Sequence, residues 1–172
     1  MRHTISVLVE NEFGVLARVA GLFSGRGFNI ESLTVAETLD PAVSRITLVT
    51  RGDDQVLAQI NKQLNKMISV IEVMDFTEAS HVERELALIK VTVDQQTRAE
   101  MMSIVDIFRG KVIDVGAHSH IVEVTGQEDK INAILELLKP LGIMEIVRTG
   151  RVAMFRGTRL LTEDPGGREN AA

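Results

Sequence analysis

The sequence predicts an α+β fold built from two ferredoxin-like βαββαβ halves. Three observations carry that prediction. Strand-period and helix-period apolar patterns follow the order β-α-β-β-α-β over residues 5–76. A polar stretch at 77–83 interrupts the pattern, and the same order resumes over 86–147. Hydrophobic residues make up 45% of the 172-residue chain, enough for a packed core in each half.

Ile5-Ser6-Val7-Leu8-Val9 is β-rich and partly alternating, which predicts the first strand. A helix over 14–26 follows, opened by Gly14, with Val15, Leu16, Val19, Leu22 and Phe23 on one face. Gly25-Arg26-Gly27 stops it. These glycines follow a helix instead of preceding one, so they fit a helix C-cap and not a phosphate loop. The second strand covers 30–36, with Ile30, Leu33 and Val35 as apolar members. Thr38-Leu39-Asp40-Pro41 is a turn, since Asp-Pro favours turn initiation. The strand over 44–51 sets Ile46 and Leu48 on one face and Arg45, Thr47 and Val49 on the other. Gly52-Asp53-Asp54 breaks it and caps a helix marked by Val56, Ile60, Leu64 and Met67. A strand over 70–76 completes the half.

In the second half, strands are expected over 86–93, 111–115, 120–125 and 143–147. Met101, Ile104, Val105 and Phe108 mark one helix. Ile131, Ile134, Leu135 and Leu138 mark the other, stopped by Pro140-Leu141-Gly142. The expected domains are 1–77 and 84–160. Val152-Ala153-Met154-Phe155 extends a strand or packs on the second half, and residues 161–172 are expected to be a disordered tail. Each half is small for a self-sufficient core and buries only one sheet face under its helices. The richness in Val, Leu and Ile leads us to expect another subunit over the second face.

Composition narrows the function. Net charge is −5, which argues against general affinity for nucleic acid or anionic membrane. Aromatics are 3%, with no Trp or Tyr, so base-stacking surfaces are scarce. Cysteine is absent, which removes disulfides and thiolate metal sites. No apolar run is long enough to span a membrane, and residues 1–4 lead directly into a strand, so a cytoplasmic protein is expected. No nucleophile motif or carboxylate pair in glycosidase or metal spacing stands out, which lowers the case for catalysis.

Glu10-Asn11-Glu12-Phe13-Gly14 forms the most informative corner. A strand runs into a glycine that opens a helix, so free helix-start N–H groups stand beside an asparagine amide. One account makes this an ordinary turn in which Asn11 caps the helix. The other makes it a site for the carboxylate of a small molecule.

The blocks Glu10-Asn11-Glu12-Phe13-Gly14-Val15-Leu16-Ala17-Arg18-Val19 and Phe23-Ser24-Gly25-Arg26-Gly27-Phe28-Asn29-Ile30-Glu31-Ser32-Leu33-Thr34-Val35 resemble the regulatory (small) subunit of acetolactate synthase, also called acetohydroxyacid synthase. Ser44-Arg45-Ile46-Thr47, Gln63-Leu64-Asn65-Lys66, Val82-Glu83-Arg84-Glu85-Leu86 and Phe108-Arg109-Gly110-Lys111-Val112-Ile113-Asp114-Val115 extend the resemblance over residues 1–157. It implies an N-terminal ACT domain, a homodimer with paired ACT sheets, and an effector, usually valine, at the dimer interface. Asn11, Gly14, Val15 and Leu16 would come from one subunit, and Asn29 and Ile30 from the facing one. Phe13 departs from the family, which often has a smaller residue there. The resemblance also implies a catalytic large subunit that carries thiamine diphosphate, a divalent metal such as magnesium, and FAD. This chain would hold no cofactor and no catalytic residue, and would serve branched-chain amino acid biosynthesis. The alternative is a stand-alone amino-acid-binding ACT regulator acting on another enzyme or on transcription, although no helix-turn-helix segment is evident.

Three further groups have plainer readings. His118-x-His120, with Glu123 nearby, fits two surface histidines better than a metal site, which needs a third ligand and outer-shell support. Arg148, Arg151, Arg156 and Arg159 make a basic stretch that is either solvated or partner-facing. Glu83-Arg84-Glu85 is either a surface ion pair or a domain or subunit contact.

Overall fold

The computed structural model describes residues 1–160. The expected tail at 161–172 lies outside the described residues. In chain order the elements are β1 (Arg2–Glu10), α1 (Val15–Ser24), β2 (Ile30–Glu37), β3 (Val43–Arg51), α2 (Asp54–Leu64), β4 (Val70–Asp75), β5 (His81–Thr92), α3 (Arg98–Ile107), β6 (Lys111–Val115), β7 (Ser119–Gly126), α4 (Glu128–Leu138), β8 (Ile143–Arg148) and β9 (Val152–Phe155). A single 3₁₀ turn, Lys139–Leu141, follows α4. Among the described residues no helix is long and apolar enough to cross a membrane.

The strands form two antiparallel sheets of the same topology, β2-β3-β1-β4 and β6-β7-β5-β8, with β9 added to β5. Shifting each label of the first order by four gives the second, so the repeat is architectural. Contacts divide the described chain into one unit of Met1–Val82 joined by residues 153–160, and a second of Glu83–Val152.

In the first unit, period-two alternation sends Ile5, Val7 and Val9 of β1 and Ile46 and Leu48 of β3 to the helix side. Val15, Val19 and Phe23 of α1 and Ile60 and Leu64 of α2 close over them. Each such side chain taken from water contributes about 1.5–3 kcal/mol. The N-terminus of α2 is capped by Asp53, whose carboxylate accepts from Val56 N at 2.9 Å. Helix α1 ends as predicted: Phe28 N donates to Phe23 O at 2.9 Å and Gly27 N to Ser24 O at 3.2 Å. Gly27, at φ 72°, takes the left-handed position that this closure requires. In the second unit, Ala87, Ile89, Val91, Val122 and Val124 pack under Met101, Val105, Ile131, Ile134 and Leu138.

Two expectations change. Residues 152–155 form strand β9, which pairs with β5 of the second sheet, while its buried side chains Ala153 and Phe155 cluster with Leu8 and Phe76 of the first unit. By contacts, residues 153–160 group with the first unit. The cause is alternation in β9, which buries Ala153 and Phe155 and leaves Val152 and Met154 exposed. The second face of the first sheet, expected to await another subunit, is thus partly covered by the chain itself. There the Phe76 and Phe155 rings lie 4.7 Å apart.

The four arginines of the basic stretch are engaged within the chain. Arg148 pairs with Glu85, and Arg151 pairs with Glu83 at 3.1 Å and with Glu128. Arg156 Nε donates to His81 O at 3.2 Å, and Arg159 lies 4.2 Å over the Phe155 ring. Glu83 and Glu85 are ion-pair partners inside the second unit. His120 is buried, with Nδ1 2.9 Å from Ser119 O, whereas His118 is exposed ahead of β7.

Candidate functional site

The corner between β1 and α1 is held from two sides. Asn11 N donates to Ala42 O at 2.7 Å, and Glu10 N donates to Ser69 O at 2.9 Å. The β2–β3 turn and the α2–β4 turn therefore brace it. Arg18, one turn into α1, adds a 3.0 Å bond from Nη2 to Ser69 Oγ.

Gly14 stands at the N-cap of α1 with φ 80°. This left-handed backbone turns the chain sharply out of β1 and into the helix. The helical ladder begins with Arg18 N donating to Gly14 O at 3.0 Å, and Val15 N makes only a long 3.4 Å bond to Glu12 O. The helix start carries no side-chain cap and no acidic residue in its first turn. Its N–H groups and the positive end of its dipole thus face outward without an anion of their own.

Asn11 does not cap the helix. Its Nδ2 donates to Pro41 O at 2.9 Å and to Glu37 Oε1 at 3.2 Å, which ties the corner to the end of β2. Glu37 and Pro41 escaped the sequence reading, because nothing in their spacing signals a bond to residue 11. Val15 is buried in the core, so only its backbone faces the corner, while Leu16 and Phe13 are exposed.

Asn29 and Ile30 stand elsewhere. Ile30 pairs with Thr50, which pairs with His3 at the start of β1. Asn11 follows Glu10, which pairs with Val43 at the other end of the same sheet. The two groups are separated by the length of β2, roughly 23 Å at ~3.3 Å per residue. One chain thus brings together Asn11, Gly14 and Leu16, and separately Asn29 and Ile30.

The Asn29 end is fixed by Thr50 Oγ1, which donates to Asn29 O at 2.8 Å. Next to it Glu31 pairs with Arg2 and with Arg51. A bulge between Ile30 and Ser32 accompanies this double contact. The pairing of Glu31 with residues 2 and 51 depends on strand register and was not visible in the sequence.

A family model described as AHAS small subunit-like ACT domain matches residues 5–72, and one described as small subunit of acetolactate synthase matches residues 84–157. The chain is 55% identical over 159 residues to the probable acetolactate synthase small subunit of Archaeoglobus fulgidus, covering 92% of this chain and 99% of that protein. It is 52% identical over 164 residues to the acetolactate synthase small subunit of Aquifex aeolicus, covering 95% and 85%. The crystal structure of the small subunit from Thermotoga maritima matches with a TM-score of 0.85 at 43% identity, over 92% of this chain and 99% of that one.

Proposed function

Since this chain belongs to the acetolactate synthase small-subunit family, whose members are regulatory and non-catalytic, we propose that it activates its large subunit and makes it sensitive to valine by binding that amino acid between two copies of itself. Condensation of 2-oxo acids, with thiamine diphosphate, magnesium and FAD, is assigned to the large subunit.

The observation that carries this reading is the separation of Asn11 and Gly14 from Asn29 along β2. No single amino acid spans that length. Strand β2 is outermost in its sheet. If two copies pair their β2 edges antiparallel about a two-fold axis, the start of one β2 lies beside the end of the other. Asn29 and Ile30 of one copy then approach Asn11 and Gly14 of its partner, and the symmetry makes two such sites.

At each site the effector carboxylate would meet the uncapped start of α1. This contributes about 0.3–1 kcal/mol, or ~2 where partly buried. Burial of the aliphatic side chain adds about 1.5–3 kcal/mol. After the cost of immobilising a small ligand, affinity on the order of micromolar to millimolar follows. One methylene is worth about 0.8 kcal/mol, so leucine and isoleucine compete only a few-fold less or more well. Regulation is a population shift: a ligand held between two copies favours the dimer arrangement that fits it, and acts only through that difference.

The test is reconstitution. Purified chain added to its large subunit should raise pyruvate consumption, and valine should suppress the rise. Absence of stimulation would end the regulatory reading, and stimulation unaffected by valine would end the effector assignment.

A further inference from the structure

The second unit repeats the backbone of the β1–α1 corner and of the β2 edge, with charged residues at the equivalent positions. Strand β6 is outermost in its sheet, as β2 is in the first. Helix α3 ends as α1 does: Gly110 N donates to Val105 O at 2.8 Å, and Arg109 N to Asp106 O at 3.0 Å. Arg109 therefore stands where Gly27 stands, and Lys111 where Asn29 stands. Three residues before the N-cap of each helix, Asp94 stands where Asn11 stands. Each outer strand also breaks register once, between Ile30 and Ser32 in β2 and between Val112 and Asp114 in β6.

Charge changes sign along β6. Its start carries Arg109 and Lys111, both exposed and with no side-chain partner among the described residues. Glu123, across from Lys111 on β7, makes no ion pair with it. Arg109 has φ 52°, so a cation is kept at a backbone position that favours glycine. The far end carries Asp114 and, beside it in the sheet, Asp94. Val115 pairs with His120, and Val93 N donates to His118 O at 2.9 Å, so Asp94 lies at the end where β6 finishes. Its Oδ1 accepts from Gln96 and Thr97, while Oδ2 takes no bond among the described residues. Ile113 and Val115, between the two charged ends, are exposed.

We infer that β6 joins two copies of the chain without a ligand, Lys111 of one copy pairing with Asp94 of the other at the place equivalent to the effector site, an inference that rests on the β2 pairing proposed above. Antiparallel pairing about a two-fold axis sets the basic start of one β6 beside the acidic end of the other. Both members of the contact are thus charges that this chain itself displays. The pairing also covers Ile113 and Val115, which a bare sheet edge leaves in water. Asn11 and Asn29 are short and uncharged, so the first unit needs the charges of an amino acid to close its site. Lys111 is longer and brings its own ammonium, and Asp94 brings its own carboxylate, so the two ends meet directly. The second unit is then a constant joint, and the first is the sensor.

The chain has no cysteine, so a single introduced one reports contact between copies. Setting Lys111 against Val115 of the second copy puts residue 113 on the axis. Ile113→Cys in the full chain should therefore form an intermolecular disulfide under mild oxidation. It should do so at least tenfold faster than Met144→Cys, an exposed position on β8 at the other side of the sheet. Adding Lys111→Glu to Ile113→Cys should slow the cross-link at least tenfold. Asp94→Asn, which keeps the Oδ1 acceptor and removes the charge, should slow it too, whereas Lys111→Arg should not. Valine should leave the rate unchanged. Equal rates for the two cysteines overturn the contact, a rate indifferent to Lys111→Glu overturns the ion pair, and a rate set by valine overturns the ligand independence. Calorimetry with valine on the same proteins reads the β2 site separately. Valine binding without a cross-link rejects this joint alone, and a cross-link without valine binding rejects the effector assignment and leaves the joint standing.

Discussion

Arg45 donates through Nη2 to the carbonyl oxygen of Ala153 at 2.7 Å, joining residues 108 positions apart. Its other partner is Ser6 Oγ, 3.4 Å from both Nε and Nη2. These acceptors are neutral, and burial lowers the pKa of the guanidinium. Arginine starts so far above neutrality that it stays charged regardless. The desolvation is tolerated in exchange for a fixed place for β9 on the second face of the first sheet, where Leu8 and Phe76 would otherwise meet water.

Phe155 should therefore matter more than its place near the end of the described chain suggests. Phe155→Ala should cost about 3 kcal/mol, the low end for a buried phenylalanine. Arg45→Leu should cost only about 1 kcal/mol, because losing the bond to Ala153 O is offset by relief of desolvation. Urea unfolding followed by circular dichroism gives both values. An unchanged midpoint for Phe155→Ala would mean that β9 lies on the sheet without stabilising it.

The contrast between β9 and the earlier strands marks what the sequence could tell. Ile46 and Leu48 against Arg45 and Thr47 is a local pattern, so strand and facing were both legible. The alternation in residues 152–155 was equally legible as a strand. Its partner was not, since Ala153 and Phe155 fit any apolar face within reach. Thr4, Ser6 and Thr47 are buried despite their hydroxyls, and nothing in the local pattern announced it. The corner at Gly14 could be found from its residues, whereas the bond from Asn11 to Pro41 and the pairing of Glu31 depend on register. The blocks shared with a family supplied what periodicity lacked.

Glu31 should act as the clamp of the Asn29 end. Its side chain is 18% exposed and pairs with Arg2 at 2.5 Å and with Arg51, itself 69% exposed. Solvent screens the second pair, so Glu31→Gln should cost about 1 kcal/mol and not the larger loss of a buried pair. Amide exchange at residues 30–32 should speed up several-fold, and high salt should shrink the difference from the unaltered chain. Equal exchange rates in the two proteins would show that Thr50 alone holds the start of β2.

Asp94 should make the entry to α3 acid-sensitive. The Thr97 N–H at 2.8 Å, the Thr97 hydroxyl at 2.9 Å and the Gln96 N–H at 2.8 Å all donate to Oδ1. They hold the carboxyl below its usual range, with the Thr97 backbone bond the largest cause. A carboxyl depressed by folding stabilises the folded state above its unfolded pKa, and that contribution disappears as pH falls through the folded one. Asp94→Ala should thus lower the melting temperature near neutrality. The gap should begin to close below about pH 4 and vanish in stronger acid. A gap independent of pH would assign the effect to the lost N–H partners and not to the charge.

Gly14 and Asn29 allow the proposed sharing of an effector site between two copies to be tested directly. A Cβ at Gly14 meets nothing within 4 Å, so Gly14→Asp is strained by its φ of 80° and not by a clash. It should fold, at a cost of roughly 1–2 kcal/mol, and put a carboxylate where the effector's would lie. Asn29→Ala leaves the backbone bond from Thr50 in place and should weaken valine binding by about 1–3 kcal/mol. Each variant alone should lose or weaken both sites of a homodimer. A mixed dimer of the two variants differs. If each site takes Gly14 from one copy and Asn29 from the other, one site carries both changes and the other carries neither. Calorimetry on mixed dimers should then recover tight valine binding at half the stoichiometry. If the mixture binds no better than the separate variants, each site is built within one chain and the β2 pairing is wrong.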